Sequence, residues 1–537
     1  MIKAIESVWV RALAVSLVFP GAAWAQTAQT PPPVTTQTPA TQLPIDRYVV
    51  GQARAPELPG TTPQDLTLEQ AVQLALEKNL ALQAARLNPQ IADYSLQSAR
   101  AAFLPRYQAT YGINNSTTPS NNTLQGVTNV TQNNQNFNAS FGQLLPWHGG
   151  NLTANFTNSR AGTNDVTSRF NPQFSSRLGF TYTQPILAGF KMDSTRNELR
   201  TVAVQRQIAD IQLLSTIENL RADVRQAYWG LRSAVEQIEI SRRALELARR
   251  SWEDSKIRVE IGSLAPIETV QFESQVANAE QTLLDAQIRW RTADLVMKVL
   301  LASGPEDDIY KHTLNPVDMP SISVQSVDIP AAVQTALEQR TDLVQQRRNL
   351  EINELNLDVS RDRTRPQLDL SSGFNSSGQG GTRFNNGIIT DESGYTGALR
   401  QLGTFNTSGW NANLTFIVPV GRDWTTNRVA YARALLQLDQ TKANIKTSEL
   451  RISAEVTNAG LAVENTFKQY QAAQTAARAA ERNAEAAQTR FENGVATNFE
   501  VVQLQNQLTS ARLTELSRLI GYVNAIAEFE RIQRIGR

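Results

Sequence analysis

The strongest constraint on the fold is an internal repeat that runs through most of this 537-residue chain. The stretch AVQLALEKNLAL begins at Ala71, and AVQTALEQRTDL begins 261 residues later, at Ala332. The same offset aligns further pairs without a gap, among them Arg86 with Arg347, Pro105 with Pro366 and Gly112 with Gly373. A register held this long indicates a tandem duplication. It predicts two structural repeats, 64–302 and 328–537, joined by a linker at 303–327.

The N-terminus has the parts of a secretory signal peptide. Lys3 and Arg11 supply positive charge, a short apolar run follows, and the A-x-A cleavage motif AWA ends at Ala25. We expect 1–25 to be removed on export; an N-terminal anchor helix is the alternative. Residues 26–63 are rich in Pro, Thr and Gln, which predicts a flexible or extended segment outside any core. Because the chain has no Cys, no lipid anchor is expected.

Short stretches with alternating polarity predict β-strands. In WNANLTFIV, from Trp410, apolar side chains alternate with Asn and Thr. The same alternation occurs in FNASF from Phe137, LTANF from Leu152 and LGFTYT from Leu178. An apolar face opposite a face of small polar residues suits a membrane β-barrel with a water-filled lumen. A soluble β-sandwich alternates equally well, but the long polar segments 116–135 and 377–406, which we expect to be extracellular loops, favour the barrel.

Each repeat is predicted to begin with an amphipathic helix, at 67–102 or 328–363, that ends before a Pro. Two much longer helices follow the strands, from about Ser194 to Glu260 and from about Thr425 to Glu492. Each would be roughly 100 Å long at 1.5 Å per residue. Helices of this length pack as coiled coils or tubes rather than in a globular core.

Composition argues against several other functions. The formal net charge is +1, so no nucleic-acid partner is expected. With two His, no Cys and no phosphate loop or metal-ligand spacing, we expect no enzyme activity, no cofactor and no metal site. Beyond the N-terminus no apolar run reaches the ~20 residues of a membrane-spanning helix, so a membrane-embedded part must be a β-barrel.

The ordered motifs from residue 64 to the C-terminus resemble those of the TolC-like outer membrane efflux proteins. The resemblance is carried by the helix pair LEQAVQLALEKN and IPAAVQTALEQR and by the helix–strand boundaries LPRYQATYG and RPQLDLSSG. The segments TQPILAGF and FIVPVGRDW also match. The motif R-x-E-x-G-x(5)-E-x-x-Q occurs twice, from Arg258 and from Arg490.

The resemblance implies an α+β membrane protein of the outer membrane of a Gram-negative bacterium. Three copies would form a homotrimer, with a shared β-barrel in the lipid and a long periplasmic α-helical barrel, and 303–327 would lie in an equatorial belt. Its function would be the exit duct of a tripartite efflux system, with a periplasmic adaptor and an inner-membrane transporter as partners. A type I protein-secretion conduit of the same fold remains open. A trimeric surface adhesin is a further alternative, although here strands occur in both halves and the chain ends in a helix.

The two glycine turns are, by this resemblance, the surfaces on which the adaptor docks. Gly262 and Gly494 permit the backbone to reverse between two helices, because Gly adopts positive φ without steric cost. Two hairpins in each of three copies would place six tips around the periplasmic mouth. The docking candidates are Arg258, Gly262, Ser263 and Leu264 in the first repeat, and Arg490, Gly494, Val495 and Ala496 in the second. The alternative is that the glycines only form turns.

The resemblance also places a gate just beyond the second turn. Glu500 matches the first acidic position of the family's constricting ring, and Gln503 occupies the second, where a carboxylate would be expected. Three Glu500 carboxylates would repel one another and attract cations; a solvated surface Glu is the alternative. The family's locking Arg is replaced here by Ala496, although Glu268 holds its acidic partner position. That closing ion pair is therefore missing, so the gate is either held by other contacts or looser.

The first repeat has an additional pair of strands near 136–160. The family has two strands in each half, whereas here the first half has four. The stretch PWHGG is predicted to be the turn of the added hairpin, from Pro146 to Gly150. Such a hairpin returns the chain to the same side, so it can lie in the barrel wall, as we favour, or fold over a rim.

Overall fold

The structure is a computed structural model that describes residues 53–57, 60–320, 327–385 and 388–533. The first repeat contains β1 (Thr62–Leu66), α1 (Leu68–Lys78), α2 (Leu80–Ala101), β2 (Arg106–Pro119), β3 (Asn129–Leu144), β4 (Asn151–Thr163), β5 (Phe170–Pro185), α3 (Ser194–Glu260) and α4 (Glu268–Leu301). β6 (His312–Pro316) lies between the repeats. The second repeat contains α5 (Ile329–Gln339), α6 (Thr341–Asp362), β7 (Gln367–Asn385), β8 (Ile388–Glu392), α7 (Gly394–Thr404), β9 (Ser408–Ile417), α8 (Arg422–Glu492) and α9 (Asn498–Gln533). The predicted signal peptide and most of 26–63 lie outside the described residues.

The prediction of a single helix at the start of each repeat is wrong, because the structure has two helices there in both repeats. The breaks fall at Asn79 and Arg340, which are extended, with ψ of 120° and 128°. Asn79 accepts a hydrogen bond from the Leu82 N–H at 3.0 Å and donates one to the Leu300 carbonyl oxygen at 3.1 Å. Arg340 instead binds Glu455 on α8 at 2.8 Å. Side chains at the break thus tie each short helix to a long one.

The long strands form one antiparallel sheet in the order β2-β3-β4-β5-β7, with β8 and β9 both pairing with β7. The added hairpin, β3 and β4, lies inside this sheet between β2 and β5, and not on a rim. The loops predicted at 116–135 and 377–406 are largely regular structure, because their polar residues pair across strands; the Thr117 and Thr131 hydroxyls, for example, lie 3.2 Å apart.

In the half of the sheet nearer the long helices, the cross-strand register places nearly all the large apolar side chains on one face. One row across the sheet reads Tyr107, Phe141, Ala154, Phe180, Phe374 and Trp410. The adjacent row on the opposite face reads Gln108, Ser140, Asn155, Gly179, Asn375 and Gly409. We call these the apolar face and the polar face. The alternation predicted from the separate strands is thus in phase across the whole sheet.

Helix α7 packs on the apolar face at the end of the sheet farthest from the long helices. There, small residues of β7 replace large side chains, and the Ser376 hydroxyl donates to the Leu402 carbonyl oxygen at 3.0 Å. A Cβ on Gly378 would collide with the carbonyl oxygen of Ala398. Tyr395 adds a hydrogen bond to Asn158 Oδ1 at 2.9 Å. Helix α7 therefore covers the apolar face at this end of β5 and β7.

Helices α3 and α8 have 67 and 71 residues and pair with α4 and α9 as two long hairpins. Their bounds agree with the lengths predicted from the sequence. Ala and Val are frequent among the buried residues, as expected for thin helix–helix seams. Among the described residues, no helix is both long enough and apolar enough to cross a membrane.

A small parallel sheet of β1 and β6 lies beside α3 and forms part of the largest buried cluster. Here the prediction that 26–63 is a flexible segment outside any core is wrong near its C-terminal end. Ala53 and Ala55 are buried, and the Ala55 N–H donates to Asn315 Oδ1 at 3.1 Å. The Tyr228 hydroxyl donates to the Leu66 carbonyl oxygen at 3.0 Å, and burial raises the pKa of Tyr228 to about 12. Composition did not indicate that this segment is packed against α3.

Candidate functional site

The two hairpin tips, 258–268 and 490–500, share the backbone hydrogen bonds around their glycine. Gly262 and Gly494 have φ of 77° and 74°. In the first tip the Arg258 carbonyl oxygen accepts hydrogen bonds from the N–H groups of Ser263 at 2.8 Å and Leu264 at 3.2 Å. In the second tip the Arg490 carbonyl oxygen accepts from Val495 at 2.9 Å and Ala496 at 3.3 Å. The glycine at positive φ lets each turn satisfy a carbonyl oxygen in the last turn of its helix.

Exposed apolar side chains surround both turns. The largest exposures are 78% at Val495, 74% at Ile267, 72% at Ile261 and 65% at Phe499. Ser263 is exposed too, while Leu264 and Ala496 are half-buried. Apolar residues grouped at an exposed tip are typical of a surface that binds another protein.

A hydrophobic cluster joins the two hairpins immediately behind the tips. It consists of Phe272 on α4, Ala487 and Phe491 on α8, and Val501 on α9, with Ala496 packed against it. Phe272 is fully buried, and its ring meets that of Phe491 edge to face, with centroids 6.2 Å apart. Ala496, where the resemblance implies a locking Arg, therefore lies against an apolar cluster.

Polar contacts at the same level also connect the hairpins. The Arg258 guanidinium lies 4.5 Å from the centre of the Phe491 ring and donates to the Phe491 carbonyl oxygen at 3.1 Å. Asn498, which is 3% exposed, donates from Nδ2 to the Glu268 carbonyl oxygen at 2.9 Å. These two contacts and the hydrophobic cluster form what we call the tip lock. Glu268 takes part through its backbone, whereas the resemblance assigned a role to its carboxylate.

Glu500 is half-buried and forms an ion pair within its own hairpin. Its Oε1 lies 2.7 Å from Nη2 of Arg490, and its N–H donates to Thr497 Oγ1 at 3.3 Å. Gln503 is exposed, and with Phe499 and Asn506 it lines a shallow groove along α9. The structure thus places Glu500 and Gln503 on one helix near the tip, with a cation beside the carboxylate that the sequence did not connect to it.

Sequence reasoning missed Phe272, Phe491 and Asn498. Phe491 directly follows Arg490 of the repeated motif, but its counterpart in the first repeat is Val259, so the repeat did not draw attention to it. Asn498 is likewise matched by Pro266. Contacts between unequal positions of two repeats are the ones that a search for matching residues overlooks.

The fold agrees with comparisons to known proteins. The family model described as "Outer membrane efflux protein" matches residues 71–303 and 332–528, which is most of the chain and covers both repeats. The chain therefore belongs to the outer membrane efflux protein family. No curated protein sequence matches it.

Solved structures of similar fold come from several bacteria. The CmeC outer membrane channel of Campylobacter jejuni is 17% identical, with a TM-score of 0.62 over 87% of this chain and 85% of that one. VceC of Vibrio cholerae is 13% identical, with a TM-score of 0.62 over 87% and 95%. The open-state MtrE outer membrane channel of Neisseria gonorrhoeae is 16% identical, with a TM-score of 0.59 over 91% and 97%. The fold class predicted from the sequence is confirmed: an outer-membrane β-barrel protein continued by long helices and built from a tandem duplication.

Proposed function

We propose that this protein is the outer-membrane exit duct of a tripartite efflux system. The observation that carries the proposal is the sheet with one apolar and one polar face, joined to helical hairpins too long for a globular core. Three copies would turn their apolar faces to lipid and their polar faces to a water-filled lumen. The hairpins would continue the lumen through the periplasm as a tube. Substrates pass passively, and an inner-membrane transporter supplies the energy.

The exposed tips are the surface for a periplasmic adaptor in this proposal. Ile261, Ile267, Val495 and Phe499 supply apolar contact area. Beside them lie the Arg258 guanidinium and the Arg490–Glu500 ion pair. The matching backbone geometry of the two turns would let one adaptor fold fit both. Docking beside Phe491 would act directly on the tip lock, because Arg258 and Ala496 belong to both surfaces.

Conductance of the purified trimer in a planar bilayer tests the duct, with the trimer verified by native mass spectrometry. We expect a small conductance for the wild type and a clearly larger one for the double variant Arg258→Ala/Asn498→Ala, because that variant removes the polar contacts of the tip lock. Gln275→Ala is the matched control, since it removes the amide pair with Asn506 farther from the turns. A trimer that conducts in neither form would overturn the proposed duct.

In the proposed trimer, the predicted acidic ring would consist of three Glu500 carboxylates, each paired with an Arg490. We expect Arg490→Gln to increase cation preference, since it leaves the carboxylates uncompensated, and Glu500→Gln to shift preference towards anions. The reversal potential in a salt gradient measures both effects. Glu492→Gln, an exposed carboxylate at the end of α8, is the control. If Glu500→Gln changes the reversal potential no more than this control does, the ring is wrong while the duct remains.

A further inference from the structure

The sheet ends in two open edges. Within the described residues, β2 pairs only with β3, and β9 pairs only with β7. Isolated edge strands usually carry protecting features such as Lys, an internal Pro or an inward-pointing charge. β9 reads SGWNANLTFI and has none of these; β2 reads RYQATYGINNSTTP and has Arg and Pro only at its ends. Both edges are therefore suited to pairing with another strand.

Side-chain exposure is also greatest at the two edges. Along the aromatic row of the apolar face, Trp410 on β9 is 80% exposed and Tyr107 on β2 is 77% exposed, whereas Phe180 and Phe374 in the middle of the sheet are 44% and 38% exposed. The inner rings are covered by side chains of the strands on both sides. The outer rings each lack one neighbouring strand, and a second sheet edge would supply it.

The two edge strands, β2 and β9, are compatible in strand direction and in which side chains lie on the apolar face. β2 leaves the helical end of the molecule directly after α2, and β9 returns to it directly before α8. Laid side by side in two copies, they run antiparallel. Both carry their aromatic side chains on the apolar face, so pairing would continue both faces across the junction.

We propose that β9 of one copy pairs with β2 of the next and closes a barrel of eighteen strands, six long strands from each of three copies. This inference rests on the trimer of the proposed function. Two strands in each half, the number that the family resemblance implies, would give twelve. Barrel diameter grows roughly linearly with strand number, so the outer pore is about 1.5-fold wider, in the range of the ~16–18 strands at which porins hold an aqueous channel.

The widening is supplied by the hairpin of β3 and β4, whose lumen side chains are small and uncharged. Asn138 and Ser140 on β3 and Asn155 and Thr157 on β4 lie on the polar face. The hairpin thus adds circumference without adding charge. The wider barrel would admit larger hydrated solutes at its outer end, with no added preference for charge of either sign.

Disulfide cross-linking tests the junction, because the chain has no Cys of its own. Ala109→Cys on β2 is combined with one Cys on β9 at Trp410, Ala412 or Leu414, all on the apolar face. We expect at least one pair to give covalent dimers and trimers in membranes. Ala139→Cys on β3, one strand in from the edge, replaces Ala109→Cys as the control and should give none.

Pore width is measured with graded polyethylene glycols added only to the compartment facing the barrel, in the Arg258→Ala/Asn498→Ala variant. We expect polymers to enter up to a radius about 1.5-fold larger than in a variant that lacks 129–163. If that deletion does not fold, the cross-links alone decide. A conducting trimer without β2–β9 cross-links overturns the eighteen-stranded barrel and leaves the duct intact. If the protein with the native β3–β4 hairpin forms neither a trimer nor a conducting pore, the duct itself is overturned.

Discussion

Replacing Arg232 with Met is expected to lower the local free energy of unfolding around β1 and β6 by about 3–5 kcal/mol, the cost of removing one member of a buried ion pair. Arg232 is 4% exposed and Glu236 is fully buried. Arg232 Nη2 lies 2.6 Å from Glu236 Oε1, and Nη1 donates to the carbonyl oxygens of Pro316 at 2.6 Å and Ala53 at 3.3 Å. One guanidinium therefore holds together α3, β6 and the segment before β1.

Hydrogen exchange of the β1 and β6 amides measures this effect. We expect protection to fall by roughly two to three orders of magnitude, since every ~1.4 kcal/mol corresponds to about tenfold in an opening equilibrium. Arg250→Met is the control: Arg250 also has a Glu four residues away on α3, but both side chains are largely exposed, so about 0–1 kcal/mol is expected. The double variant Arg232→Met/Glu236→Leu should recover much of the loss. Equal protection in Arg232→Met and the control would show that the pair does not hold this region.

Phe272→Ala is expected to have a comparable effect at the hairpin tips. Phe272 is fully buried in the cluster that joins α4, α8 and α9, and truncation of a buried Phe costs about 3–5 kcal/mol. Since this cluster is small and lies at the ends of the hairpins, the loss should appear as local separation of the tips. In the proposed duct, that separation widens the mouth and raises the conductance.

Hydrogen exchange within 262–272 and 491–501, measured beside single-channel conductance, checks this prediction. Phe499→Ala is the matched control, because this ring, two residues before Val501 on α9, is 65% exposed. The control should change tip protection and conductance little. Faster exchange without a larger conductance would keep the cluster as a structural contact and argue against its role in the gate. Unchanged exchange would show that the cluster does not hold the tips together.

Much of the fold could be predicted because its determinants are periodic and local. The offset between Ala71 and Ala332 indicates the duplication, the alternation in WNANLTFIV indicates a two-faced strand, and uninterrupted helical sequence indicates α3 and α8. The breaks at Asn79 and Arg340 were missed because the apolar periodicity continues through them. The packed segment at Ala53 was missed because its composition matches that of a linker, and its burial depends on Asn315, about 260 residues away.

The candidate site was predictable only in part. The glycine turns at Gly262 and Gly494 follow from a local steric requirement, so the repeated motif was sufficient to locate them. The carboxylate of Glu500 was assigned from its position in a family pattern, whereas its partner Arg490 became evident from geometry. The tip lock joins Arg258 to Phe491 and Asn498 to Glu268, pairs that are more than two hundred residues apart.

By itself, the sequence determined the duplication, the type of each long element and the two-faced character of the strands, because backbone sterics and side-chain polarity act over a few neighbouring residues. Tertiary structure alone decided that the added hairpin lies inside the sheet, that helix α7 covers one end of the apolar face, and that the charge of Glu500 is paired with Arg490. Each of these depends on distances between segments far apart in the chain, which packing of the whole molecule sets and no local pattern encodes.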